Sequence, residues 1–182
     1  RQAYRYLSKV KIVNHFMGTE LYVLIKGSPQ QHRQLKRGAK LSTYVVVGYI
    51  LADELNELGI KNRIVPIISQ RFEKRVYQFP GEKKVIVYLP SKCRDFYNYQ
   101  YLLRLAHDFP EVTFIWFPYQ PQEKEIIPPN VVCRPYIPHS EVLTEMEKCR
   151  VFLRLPIHDG GAPLSLLEAL SIGRWAIWTF EM

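Results

Sequence analysis

Two glycines and a glutamate carry the strongest chemical signal in this chain of 182 residues. Gly160 and Gly161 close a polar turn, His158-Asp159-Gly160-Gly161, and Glu168 follows within a run of helix formers, Leu164 to Ser171. A glycine pair lets the backbone approach a ligand closely, and a helix start offers unpaired N–H groups with partial positive charge. An anion such as a phosphate fits there. Glu168 is flanked by Leu164, Leu166, Leu167, Ala169 and Leu170, so its helix reads as buried on nearly every side. A carboxylate inside such a helix needs a partner. Helical side chains lean toward the N-terminus, which aims Glu168 at the same mouth. Amides for phosphate and a carboxylate acceptor for sugar hydroxyls make a nucleotide-diphosphate site. A plain glycine turn, with Glu168 bonded to a neighbouring backbone N–H, accounts for the same residues equally well.

The elements around this stretch set its geometry. Val151 to Leu155 is a β-rich run ended by Pro156, Pro163 occupies the expected first helical position, and Gly173 stops the helix before a strand at Trp175 to Thr179. The result is a β-loop-α-β unit with glycines at the helix mouth. Arg154 stands alone among apolar strand residues and needs an anion or a carboxylate; Asp159 and a bound phosphate are both open as its partner.

The segment resembles the donor-site signature of GT-B glycosyltransferases, in particular the retaining group called family 4. Gly161, Ala162, Pro163, Leu164, Leu167, Glu168, Ala169, Leu170 and Gly173 fall on that pattern. The resemblance implies that Glu168 binds the ribose hydroxyls of the donor. The family's first acidic residue, near the donor sugar, falls on Gly160 in this chain, with Asp159 one residue earlier as the nearest candidate. The resemblance extends further. His15 to Glu20 (HFMGTE) is similar to the family's His-x-x-Gly-Thr-Asp loop, which makes His15 a candidate for substrate contact beside the structural histidine of a strand end. Val85 to Ser91 is similar to the first strand of the nucleotide-binding domain, and Lys92 and Arg94 then lie in the loop whose basic residues bind the donor diphosphate. Such a loop, at the C-terminal end of a parallel strand, is where ligands of open α/β sheets collect. Asn130 to Val142 resembles a run whose main chain meets the donor base, at Tyr136 and Ile137; Pro135 replaces a glycine there and stiffens the loop.

Read in order, the chain alternates strand and helix. Lys9 to Asn14 reads as a strand, Gln30 to Leu41 as a polar, basic helix with its connection, Thr43 to Gly48 as a buried strand, Tyr49 to Leu58 as a helix ended by Gly59, and Asn62 to Ile68 as a strand. Ser69 to Lys84 is charged and aperiodic, as an interdomain connection would be. A second series follows, with a helix over Asp95 to Phe109, a strand over Val112 to Phe117, a loop over Tyr119 to Pro129, a strand and turn over Val131 to Ile137, and a helix over His139 to Cys149. This spacing implies parallel βαβ units. The expected architecture is α/β, with two Rossmann-like parallel-sheet halves facing a cleft, as in GT-B. Residues 1–68 would be the end of an acceptor-side domain, 69–84 a linker, and 85–182 the first part of a nucleotide-sugar domain. By the resemblance both halves are expected to be incomplete, as in a chain truncated at both ends.

Composition narrows the class. A hydrophobic content of 47% supports packed cores, and the net charge of +8 points to an anionic partner. No apolar run reaches the length of a membrane span, and no signal-peptide pattern opens the chain. Cys93, Cys133 and Cys149 are widely spaced, in no metal-ligand pattern, and read as reduced thiols of a cytoplasmic protein. The resemblance, rather than the composition, implies the function: a hexosyltransferase-type glycosyltransferase of carbohydrate biosynthesis. It would take a nucleotide-diphosphate sugar as donor substrate, retain configuration, and need no cofactor or metal. The acceptor would be a glycan, lipid or protein. Arg33, Lys36, Arg37 and Lys40 cluster on one polar helix, so an anionic membrane at the inner surface is a further expected partner; nucleic acid is not. A non-catalytic nucleotide-sugar or glycan-binding module of the same fold is the alternative.

Overall fold

A computed structural model describes residues 11–66 and 78–180. The described residues divide into two units, one of 11–66 with 158–162 and one of 78–157 with 163–180. Most of the expected connection over 69–84, the start of the first expected strand and the end of the third lie outside the described residues.

The first unit has a parallel sheet in the order β1-β2-β3: β1 (Ile12–Phe16), β2 (Ser42–Val46) and β3 (Asn62–Ile64). β1 is followed by α1 (Thr19–Ile25) and α2 (Pro29–Ala39), and β2 by α3 (Tyr49–Glu57). The apolar run Tyr22 to Ile25, to which the sequence alone assigns no element, is the second half of α1. Ser28 starts α2 with a capping box, its hydroxyl accepting from the Gln31 amide while the Gln31 side chain accepts from the Ser28 amide, and Pro29 follows at the first turn. Leu21, Leu35, Tyr44, Val46, Leu51 and Leu55 form the core of this unit.

The second unit carries five parallel strands in the order β6-β5-β4-β7-β8. They are β4 (Lys84–Tyr88), β5 (Thr113–Phe117), β6 (Val131–Cys133), β7 (Val151–Arg154) and β8 (Trp175–Trp178). The order reverses between β4 and β7, the switch point at which open α/β sheets collect ligands beyond the strand C-termini. Helix α4 (Tyr99–Asp108) packs on one face through Val87, Phe114, Trp116 and Leu102. Helices α5 (His139–Glu147) and α6 (Leu164–Ser171) share the other face, where Ile86, Ile115, Phe152, Met146, Leu166 and Ala169 meet.

Two details depart from expectation. The helix expected over Asp95 to Phe109 is broken at Asn98, whose left-handed φ of 55° separates a 3-10 segment (Ser91–Tyr97) from α4. Asparagine tolerates that region because its short polar side chain bonds locally, and here Asn98 Nδ2 donates to the Leu155 carbonyl at 2.9 Å. Pro163 is extended (φ −69°, ψ 150°) and caps α6 rather than forming its first residue.

Candidate functional site

Glu168 lies on the inward side of α6 and is 9% exposed. Ser165, one turn earlier, shares its face. Both line a pocket of about 180 Å³ with Tyr88 from the end of β4, Phe117 from the end of β5, Tyr136 and Ile137 beyond β6, and His139 at the start of α5. The pocket stands over Ile86, Phe152, Val142 and Met146, so its floor is apolar and its polar groups are few. The buried carboxylate has the partner that burial demands: His139 Nε2 is 2.9 Å from Glu168 Oε1. This is a side chain rather than the backbone N–H of the simpler sequence reading. At the start of α6 the Pro163 carbonyl accepts from the Leu166 and Leu167 amides, which leaves the Leu164 and Ser165 amides at the helix terminus.

A second, wider hollow of about 590 Å³ adjoins through Tyr136, which lines both. Pro90, Ser91 and Lys92 after β4, Pro118, Gln120 and Pro121 after β5, and Pro135 after β6 complete it. Ser91 holds the two loops together, its hydroxyl accepting from the Gln120 amide at 2.8 Å. Tyr136 is 82% exposed, an unusual position for an aromatic side chain that nothing in the core requires there.

Four of the residues singled out in the sequence, Lys92, Tyr136, Ile137 and Glu168, thus line two adjoining hollows at the C-terminal edge of one parallel sheet. Arg94, expected at a diphosphate, already has partners within the chain. Its guanidinium is 2.7 Å from Glu125 Oε1, donates to the Tyr119 hydroxyl at 3.2 Å and lies over the Tyr99 ring, so its charge is matched within the chain. Arg154 lies over the faces of Tyr88 and Tyr97, 4.7 and 5.3 Å from the ring centres, a cation–π arrangement that the sequence alone does not suggest.

The remaining candidates belong to the first unit. Asp159 is 8% exposed and its Oδ1 accepts from the Gly160 amide at 3.0 Å. Gly160 is closely packed: a Cβ there would lie 2.7 Å from the Gly18 Cα and 2.8 Å from both the Met17 carbonyl oxygen and Leu51 Cδ1. Gly161 has more room, its nearest neighbour to such an atom being Val47 Cγ2 at 3.4 Å. His15 is exposed near the end of β1, opposite Val45 in register. In its loop the Glu20 carboxylate accepts from the Met17 amide and, at 3.0 Å, the Gly18 amide, so this acid caps the turn.

Sequence reasoning missed His139 and His158. His139 was legible only as the first residue of an amphipathic helix. His158 is 5% exposed, stacked on Tyr22 at 4.3 Å, with Nε2 3.0 Å from Glu54 Oε1. Nothing in the spacing of residues 54 and 158 announces that pair. Among the described residues no group of three or more His, Cys, Asp or Glu side chains is placed to hold a metal ion, and no helix is long and apolar enough to cross a membrane.

No protein-family model matches the chain, and no curated protein matches it in sequence. Its likeness is to solved structures. A point mutant of TarM from S. aureus, in complex with fondaparinux, alpha-GlcNAc-glycerol and UDP, superposes with a TM-score of 0.66 at 15% identity over 92% of this chain. A second TarM structure gives 0.67 at 14% identity over 93%. The pneumococcal O-GlcNAc transferase GtfA, in complex with UDP and GlcNAc, gives 0.63 at 14% identity over 97%. This chain covers only 36% to 38% of those chains. The likeness shows the fold: the chain is α/β with parallel sheets, and it matches part of the GT-B fold of the glycosyltransferases it superposes on.

Proposed function

We propose that this chain forms the donor-binding part of a glycosyltransferase that uses a nucleotide-diphosphate sugar. The carrying observation is that Glu168, Tyr136 and Ile137 line one pocket beside a hollow that contains Lys92. The nucleoside occupies the smaller pocket, its base against the aromatic and aliphatic wall and its ribose hydroxyls on Glu168. The diphosphate lies toward Lys92 and the Leu164 and Ser165 amides. When the sugar leaves, negative charge grows on the diphosphate, and a preorganised donor aimed at such charge typically contributes on the order of 3 kcal/mol in the transition state. Lys92 and the α6 terminus supply positive potential in the place a metal would take, which supports metal-independent transfer. The resemblance of the Gly161–Gly173 segment to the family 4 signature is what supports retention of configuration. The UDP, GlcNAc and alpha-GlcNAc-glycerol in the complexes of TarM and GtfA support a nucleotide-sugar donor and a glycan acceptor.

Calorimetric titration with UDP, GDP, ADP and their sugars tests this reading. One of them should bind, and Glu168→Gln should weaken it by roughly tenfold or more, the effect of losing a hydrogen bond to a charged group. No binding by any of them, or full affinity in Glu168→Gln, would refute it. A second reading, a binding module without turnover, is favoured by Gly160 standing where the family has an acid and by the Asp159 carboxylate being turned onto the Gly160 amide. Slow hydrolysis of the bound nucleotide sugar would separate the two, since a module releases no sugar.

A further inference from the structure

We infer that His139 is a positioning residue that holds the Glu168 carboxylate in the orientation needed to read a ribose 2′-hydroxyl; this rests on the donor-site reading above. The geometry is specific. Glu168 is nine-tenths buried in the pocket wall, and its only side-chain partner among the described residues is His139, Nε2 to Oε1 at 2.9 Å. A carboxylate offers acceptors alone, so the proton between the two belongs to Nε2. That bond occupies one direction at Oε1 and leaves Oε2 without a partner among the described residues.

A carboxylate on a glutamate can rotate about its last bond, and its rotamer is broad. Without a fixed partner it has no preferred face toward the pocket. The His139 bond removes that freedom. The backbone of His139 is set by α5, whose Met146 is anchored in the core beneath, while its imidazole is exposed. The histidine also lines the pocket, beside the carboxylate that a ribose would meet. A diol placed there donates to Oε2 in a direction set before binding, and a preorganised acceptor loses less affinity to ordering. A 2′-deoxyribose leaves that acceptor without a donor in a mostly apolar pocket, which is where rejection is strongest.

The test compares the nucleoside diphosphate that binds best among UDP, GDP and ADP with its 2′-deoxy counterpart, by calorimetry on the whole chain. The wild type should prefer the ribonucleotide by about tenfold or more. His139→Ala should lower ribonucleotide affinity by a similar factor, change deoxyribonucleotide affinity much less, and so shrink the ratio. His139→Gln, whose amide also donates, should keep most of the ratio. A structural role alone would shift both ligands together. An unchanged ratio in His139→Ala, with the ratio collapsed in Glu168→Gln, would overturn this inference and leave the donor site standing. Failure of any diphosphate to bind, or Glu168→Gln at full affinity, would overturn both. Because His139→Gln tests the same ratio in a side chain of similar size, a folding defect in the alanine variant does not shelter the inference.

Discussion

The Arg94 guanidinium and the Glu125 carboxylate, 31 positions apart in the chain, meet at 2.7 Å. Glu125 also accepts from the hydroxyls of Tyr99 and Tyr119 and from the Gln122 amide at 2.7 Å. A loop rich in proline and charge is thereby pinned to the segment that follows β4. The carboxylate's burial opposes its charge, but the two tyrosine hydroxyls, the Gln122 amide and Arg94 outweigh it and hold the carboxyl below its ordinary value of 4.5.

A lowered carboxyl value fixes the sign of a pH effect. The stabilisation is fully present above the ordinary value and is lost as the pH falls through the folded one. Glu125→Gln should therefore cost about 2 kcal/mol at neutral pH, the worth of hydrogen bonds to a charged group. The gap to wild type should narrow on acidification below 4.5, as the wild-type carboxyl protonates. Denaturant unfolding at neutral and acid pH measures it; a gap that stays constant would contradict the assignment.

Lys92 and Arg94 are paired by sequence but differ in their surroundings, one lining the hollow and the other bonded to Glu125, which yields a contrast. Lys92 is exposed on the wider hollow, so Lys92→Ala should leave the melting temperature unchanged and weaken nucleoside diphosphate binding about tenfold, the loss of one charge-assisted contact. Arg94→Ala should do the reverse, lowering the melting temperature while the folded protein keeps its affinity. Calorimetry and thermal unfolding of the two variants together decide it, and a large affinity loss in Arg94→Ala would return that residue to the diphosphate.

The strand and helix order was legible because its signals are local. The β-branched run at Thr43 to Gly48 and the apolar spacing of Tyr49 to Leu58 before Gly59 each decide an element within a few residues. The break at Asn98 is less legible, because the carbonyl its side chain bonds, at Leu155, lies 57 positions away. The site was half legible for the same reason. A buried glutamate in an apolar helix announces that it needs a partner, and glycines announce close approach, but neither says to what. Glu168 found His139 on another helix, and Arg94 found a glutamate in a loop that carries no periodic signal. Pairing of charges depends on tertiary placement, which residue type and spacing do not encode.

Gly160 and Gly161 should tolerate a methyl group differently. At Gly160 the added carbon would meet backbone at 2.7 and 2.8 Å, and backbone cannot swing aside as a side-chain tip does. Gly48, whose own added carbon would lie 2.6 Å from the Gly160 carbonyl oxygen, shows the same crowding from the other side. Gly160→Ala should therefore destabilise by about 1–3 kcal/mol, the usual cost of overpacking. Gly161→Ala, with its nearest contact at 3.4 Å, should be close to neutral. Thermal unfolding of both compares them directly, and equal effects would mean that the bend is not packed as described.

The outward face of α2 supports the remaining expected partner, an anionic lipid surface. Arg33, Lys36, Arg37 and Lys40 stand at helical spacing along one stripe and are all exposed, while Leu35 on the opposite side is buried in the core. No acidic residue occurs from Leu21 to Ala52, and no ion pair among the described residues involves these four cations. Near an anionic leaflet each cation contributes about 1 kcal/mol, and the attraction decays within a Debye length. The helix keeps no free apolar face to insert, so adsorption would be electrostatic rather than embedded. The protein should therefore sediment with phosphatidylglycerol vesicles at low ionic strength, release as salt rises, and ignore phosphatidylcholine vesicles. Lys36→Glu with Arg37→Glu should abolish sedimentation while leaving nucleotide affinity intact, since neither residue lines the donor hollows. Sedimentation that survives high salt, or that the double variant keeps, would remove the stripe as the cause.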